Sequence, residues 1–331
     1  MNEIHRRRLL GAAAAMPFAA SLARPNLARA AAWPDRPVRF VVPFTPGGST
    51  DILARAMAQG LSEHFGQQFV IDNRGGAGGT VGSEAVARSA PDGYTIMMGH
   101  IGTLAVNPAI YPSLSFDTVT SFQPIVLVAN VANILVVNPK AAPVNSAQEL
   151  IDFARRKPNE LMFGSGGNGS AAHIAVVAFQ LATGIELTHV PYRGTGPMMT
   201  DLIAGSISMT MTGGPPILPP VRAGQLRALG VSSLTRLESE PNIPTLDEAG
   251  VKGFEALQWY GIVGPAGMPR EIVDRMNEAS HKILKAPMLQ QRLATEGAEA
   301  APGTPEEFGA FIRSERDRWG AVIRKAGVKA D

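Results

Sequence analysis

The chain has 331 residues, 45% apolar and 18% charged, which excludes a disordered or collagen-like polymer and leaves room for two globular domains of about 150 residues each. Lys and Arg number 30 against 28 Asp and Glu, and this +2 balance argues against a nucleic-acid binder. With no cysteine, disulfides, thiolate nucleophiles, Cys-ligated zinc and iron–sulfur clusters are excluded.

Residues 1–30 hold five of the basic side chains (Arg6, Arg7, Arg8, Arg24 and Arg29) and one acid, Glu3, so the rest of the chain carries a net negative charge. Arg6-Arg7-Arg8-Leu9-Leu10 leads into an apolar run from Ala12 to Ala23, interrupted by Pro17 and too short to cross a bilayer core of roughly 30 Å. The small-x-small pattern Ala28-Arg29-Ala30 follows. The segment predicts a cleaved export signal, cut near Ala30 or Ala32, and both a twin-arginine and a general secretory signal fit it. No later run approaches 18 apolar residues, and no cysteine is present to carry a lipid. The expected product is an untethered periplasmic protein with no direct membrane insertion.

From Val38 onward short apolar runs alternate with amphipathic stretches, the pattern of an α/β domain with a largely parallel sheet. The run Val38–Phe44 is a buried strand, and Thr45-Pro46-Gly47-Gly48-Ser49 is a turn. Ile52, Leu53, Ala56, Met57, Leu61 and Phe65 share a helical face that Gly66 stops. Further strands are predicted at 68–71, 95–98, 124–137, 161–163, 187–191, 208–212, 226–231 and 259–263. Capping boxes at Ser146/Glu149, Thr245/Glu248 and Thr304/Glu307 mark helix starts. The run at 124–137 is roughly twice a normal strand and is interrupted by Asn130 and Asn133, as one strand shared by two sheets would be. The chain could then return near 258–264. This gives a discontinuous first lobe, residues 33–130 plus 259–331, and an inserted second lobe, residues 131–258, joined by two hinge segments.

Four glycine-rich loops follow predicted strands and open helices: 45–51, 73–80, 164–170 and 192–196. Each would place unpaired backbone N–H groups at a positive helix end, which suits an anion such as a carboxylate, and Ser49, Thr50, Ser165, Asn168, Ser170 and Thr195 add neutral donors. Tight βα turns would use the same glycines. Gly76-Ala77-Gly78-Gly79-Thr80-Val81 lacks the final glycine of G-x-G-x-x-G, and neither G-x-x-x-x-G-K-[ST] nor the nucleophile elbow G-x-S-x-G occurs, so no catalytic residue is assigned. The six histidines lack metal-site spacing, and no metal or cofactor is expected. His100 ends a strand before Ile101-Gly102-Thr103 and either lines a cleft or is a satisfied structural histidine. Asp51 is either a ligand group or a partner for the preceding loop and helix dipole.

Taken in order, the stretches 42–51, 72–79, 91–95, 107–108, 163–170, 189–194, 226–231 and 261–269 resemble the Bug family of periplasmic solute receptors, the binding components of tripartite tricarboxylate transporters. The resemblance implies a two-lobed periplasmic-binding-protein fold of the Venus flytrap type II class, with two doubly wound domains joined by two hinge strands. It implies a receptor rather than an enzyme, closing on a small-molecule carboxylate. Carried onto this chain, the ligand contacts would be Phe44, Gly48, Ser49, Thr50 and Thr103 from one lobe and Gly167, Asn168, Ser170, Tyr192 and Thr195 from the other. The expected partners are the membrane permease subunits of a tripartite transporter, or alternatively a sensor kinase, with the receptor a monomer; an exported hydrolase is the rival reading. One departure stands out. Where the family often shows Phe-Asp before an Asn-x-Pro turn, this chain has Met211-Thr212-Gly213-Gly214-Pro215, an uncharged replacement that favours a simple carboxylate over an amine-bearing ligand.

Overall fold

The computed structural model describes residues 33–328 except 112 and 296. The expected export signal and both of its cleavage positions lie outside the described residues. In chain order the elements are β1 (Val38–Val42), α1 (Ser49–Phe65), β2 (Phe69–Asn73), α2 (Thr80–Ala87), β3 (Thr95–His100), α3 (Asn107–Ile110), β4 (Phe122–Val137), α4 (Ala147–Arg156), β5 (Met162–Ser165) and α5 (Ala171–Thr183). There follow β6 (Thr188–Pro191), α6 (Thr195–Ala204), β7 (Met209–Gly213), α7 (Gly214–Arg222), β8 (Arg227–Val231), β9 (Leu257–Pro265), α8 (Arg270–Leu284), α9 (Pro287–Thr295), β10 (Ala298–Ala300) and α10 (Pro305–Ala326).

Strands neighbour one another in the order β2-β1-β3-β9-β4-β7-β5-β6, with β8 and β10 also pairing with β4. The 16-residue β4 changes partners along its length. Up to Ala132 it runs against β9, and from Asn133 to Val137 it runs against β7, with β8 on Ile134–Val137. Asn133 stands at the change: its side-chain amide donates to the Ala256 carbonyl at 2.5 Å and accepts from Gln258, and its backbone N–H donates to Ser232 Oγ at 2.9 Å. A buried amide that satisfies loose backbone groups there explains why an apolar strand carries this residue.

The sheet is mixed, not largely parallel as the alternation of elements predicts. The pairs β1–β2, β1–β3, β5–β6 and β5–β7 are parallel, but β4 and β9 run antiparallel to every partner. These two are the strands by which the chain passes between the two groups of βα units, so they oppose the units on either side. The strand β10, too short to carry an apolar signature, escapes the sequence reading and forms by pairing with the edge of β4.

Burial on both faces of the central strands explains their unbroken apolar runs. Val38, Phe40 and Val42 of β1 pack with Leu53, Met57 and Leu61 of α1, while Val41 joins the core on the other side with Phe308, Ile312 and Trp319 of α10. In the far half of β4, Leu135 and Val137 face one core and Ile134 and Val136 another, with Leu202, Ile217 and Leu218. Gly66 closes α1 in the left-handed conformation at φ 69°, which costs glycine nothing. The Ser146 and Thr304 caps form as expected. Thr245 and Glu248 also bond reciprocally, at 2.8 and 3.0 Å, but they close a turn at 246–250 and open no helix.

Candidate functional site

Three long helices begin at one cavity. Ser49 and Thr50 start α1, Ser170 with Ala171 and Ala172 starts α5, and Thr195 starts α6; all line it together with Phe44, Gly48, His100, Gly166, Thr212, Gln258 and Tyr260. The free N–H groups and positive ends of these helices are therefore brought to one place from both halves of β4's sheet system. No Asp, Glu, Lys or Arg lines the cavity.

The loops that carry these residues are in contact across the cleft. The Tyr111 hydroxyl donates to the Asn168 carbonyl at 3.1 Å. A methyl on Gly48 would stand 3.1 Å from the Thr195 side chain, and one on Gly194 would collide with Thr45 Oγ1. Gly78, at φ 60°, lies so close beneath the Asn168 carbonyl that no Cβ fits. The glycines here permit both a left-handed backbone and close approach of opposing loops.

Asp51 proves to be loop scaffolding. Its carboxylate accepts from the Gly47 N–H at 3.1 Å, Arg55 Nε at 3.0 Å and Asn73 Nδ2 at 3.0 Å. Burial would raise its pKa, but those hydrogen bonds outweigh it and hold the carboxyl below its usual range. Asn73 also donates to the Phe44 carbonyl at 3.0 Å, so the first loop is tied to β2.

The loop at 165–170 is anchored from behind by two imidazoles. His173 and His189 stack at 4.1 Å with 8° between their planes, and Phe163 stacks on His189 at 4.7 Å. His173 Nδ1 accepts the Gly169 N–H at 3.1 Å, and His189 Nε2 lies 2.6 Å from Ser165 Oγ. Burial, aided by the facing His189, pushes His173 down to about 3, so it remains a neutral acceptor. The Ser165–His189 contact is no nucleophile–base pair. Ser165 is fully buried, and its Oγ also accepts the Gly167 N–H at 3.1 Å and lies 3.2 Å from the Gly167 carbonyl, which exhausts its one proton and two lone pairs.

Of the ten residues singled out in the sequence, Phe44, Gly48, Ser49, Thr50, Ser170 and Thr195 share the cavity. Gly167, Asn168 and Tyr192 line an adjoining cavity that has Gly166 in common with the first. Burial pushes the Tyr192 phenol up to about 12, with Asp201, its acceptor at 2.7 Å, adding to the rise. Thr103 lines neither cavity; it is wholly buried and bonds His100. His100, left open between two readings, lies on the wall. Gln258 and Tyr260 were missed. The available signal was strand alternation, since Trp259 between them faces the α10 side, where its indole donates to Glu315 at 2.9 Å. Among the described residues no cluster of His, Asp and Glu could hold a metal, and no helix is long and apolar enough to cross a membrane.

The fold and this cavity define a ligand-binding protein of the mixed α/β periplasmic-binding-protein class, with an uncharged, amide-rich site. Residues 53–328 match the family described as the tripartite tricarboxylate transporter family receptor. Protein BugT of Bordetella pertussis is 36% identical over 90% of this chain and 91% of its own length. A Rhodopseudomonas palustris protein solved with adipate superposes with TM-score 0.87 at 40% identity, covering 90% of this chain and 99% of that one. MatC of Rhodopseudomonas palustris, solved with bound malate, gives 0.84 at 30% identity over 88% and 100%. The chain belongs to the tripartite tricarboxylate transporter receptor family, and is a solute-binding receptor rather than an enzyme.

Proposed function

We propose that the protein captures a small carboxylate in the cavity between residues 44–50 and 166–195 and presents it to the permease subunits of a tripartite transporter from the periplasm. The carrying observation is the convergence of the α1, α5 and α6 N-termini on a cavity with no charged side chain. Backbone amides and small hydroxyls supply charge-assisted hydrogen bonds there, and exclusion of water strengthens them. The adipate and malate complexes of the two R. palustris relatives support a carboxylate as the ligand class.

In this reading residues 33–130 with 259–331 form one lobe and 131–258 the other, hinged on β4 and β9. The partner change of β4 at Ala132–Asn133 supports that boundary. A ligand that bridges both lobes shifts the population toward the closed form, and closure is the signal a permease reads. The first contacts are Phe44, Gly48, Ser49, Thr50, Ser170 and Thr195, with Gly167, Asn168 and Tyr192 walling the entrance.

Calorimetry of the mature protein with adipate and malate tests the proposal. Ser49→Asp and Ser170→Asp each place a fixed negative charge at a helix start on the cavity and are expected to abolish binding while the fold survives. Unchanged affinity in both variants would remove these loops from the site.

A further inference from the structure

Gln258 and Tyr260 on the inner wall of the cavity are already engaged within the protein. The Tyr260 hydroxyl donates to Gln258 Oε1, Gln258 Nε2 donates to Asn133 Oδ1, and Asn133 Nδ2 donates to the Ala256 carbonyl. This chain of bonds runs from the cavity into the crossing of β4 and β9 and leaves little free capacity.

The hydroxyls of Thr50, Thr195 and Thr212 stand outside it, as do two further groups, His100 and Ser49. His100 is 3% exposed, and its Nδ1 accepts the Thr103 N–H at 3.1 Å while its own backbone N–H donates to Thr103 Oγ1 at 3.1 Å. A neutral imidazole whose Nδ1 accepts must carry its proton on Nε2. Burial pushes His100 down to about 4, so the ring is neutral at physiological pH. Phe44 packs on its face at 4.7 Å and Tyr260 stands edge-on at 5.9 Å, which leaves the ring no freedom to turn. No described residue accepts from Nε2, and the side chain lines the cavity. The second group is Ser49 Oγ, 4% exposed, on the same wall beside the Tyr260 hydroxyl, which already donates to Gln258, so that Ser49 has no well-formed hydrogen bond. A buried hydroxyl left unmatched in this way is expected to meet its partner in the ligand or in ordered water.

We propose that His100 is a specificity-determining residue, whose Nε2–H reads, together with the Ser49 hydroxyl, a second oxygen acceptor on the bound carboxylate. The ligand is then a short hydroxy-, oxo- or dicarboxylate. A plain fatty acid would leave both donors unmatched in the closed site, which binding sites built for a hydrogen bond penalise strongly. An ammonium group would find no carboxylate on the wall. This inference rests on the carboxylate-receptor reading above and adds to it the residue that discriminates.

The test is calorimetry on the mature protein with paired probes: adipate against hexanoate, and malate against butyrate and aspartate. Wild-type protein is expected to prefer adipate to hexanoate, and malate to both of its analogues, by about tenfold or more. H100F keeps a ring between Phe44 and Tyr260 but offers no donor; it should reduce the diacid preference to about twofold. H100Q keeps an amide donor and should restore part of the preference. Melting curves confirm that each variant folds. A wild-type preference retained in H100F overturns the inference alone, whereas failure of every probe to bind wild-type protein overturns the carboxylate reading and this inference with it.

Discussion

Acidification should destabilise this protein first through two buried imidazoles. His100 and His173 are 3% and 5% exposed, and burial lowers them to about 4 and about 3. Unfolded, both titrate near 6.5. Below that value the unfolded chain binds more protons than the native one, so the stability these groups confer is full above pH 6.5 and is lost as pH falls toward the folded values. At pH 5, 1.5 units below the unfolded value, each costs about 2 kcal/mol, and the pair about 4 kcal/mol. That is a large part of the roughly 5–15 kcal/mol by which a domain is stable, and it corresponds to a fall of about 8–16 °C in melting temperature. Asp51 and Asp117, also lowered in the fold, act in the same direction but only below their unfolded value of 3.8, outside this window. Calorimetric melts of the ligand-free mature protein from pH 7.5 to 5 measure the effect. His173→Asn retains an acceptor for the Gly169 N–H without the titration and should remove about half of the slope. A melting temperature that is flat over this range, or equally steep in His173→Asn, would refute the burial argument.

Other sites give independent checks. Glu315, 7% exposed, accepts from the Trp259 and Trp319 indoles at 2.9 and 3.0 Å; Glu315→Ala strands both donors and should cost about 3 kcal/mol or more in urea denaturation, while Glu315→Gln keeps an acceptor oxygen and costs less. Gly78→Ala forces a side chain into a left-handed position against the Asn168 carbonyl; it should open the cleft, seen as a larger radius of gyration in solution scattering and weaker adipate binding. Ligand affinity and compactness unchanged by that substitution would show that the loop contacts do not hold the closed form.

Much of the architecture was legible in local patterns. The strand at Val38–Val42, the helix that Gly66 ends and the caps at Ser146 and Thr304 each follow from residues within a turn or two of one another, and propensity, burial and capping there agree. The double-length run around Asn130 and Asn133 signalled a strand with two sets of partners. The glycine-rich helix starts were legible because amide exposure at a helix start is itself a local property.

What the amino-acid order determined by itself is therefore most of the strands and helices, the glycine-rich helix starts and the family. Tertiary structure alone decided three things. It ran β4 and β9 antiparallel to their neighbours, which no local pattern encodes. It stabilised α7, where Pro219 and Pro220 oppose a helix by propensity, by burying Ile217 and Leu218 completely. It placed His100 and Tyr260 beside Ser49, residues separated by up to about 200 positions, on one cavity wall. The reason is the same in each case: a helix start or cap is settled by neighbours in the chain, whereas strand direction, a proline-bearing helix and the wall of a cleft depend on burial shared between segments that meet only when the chain has folded.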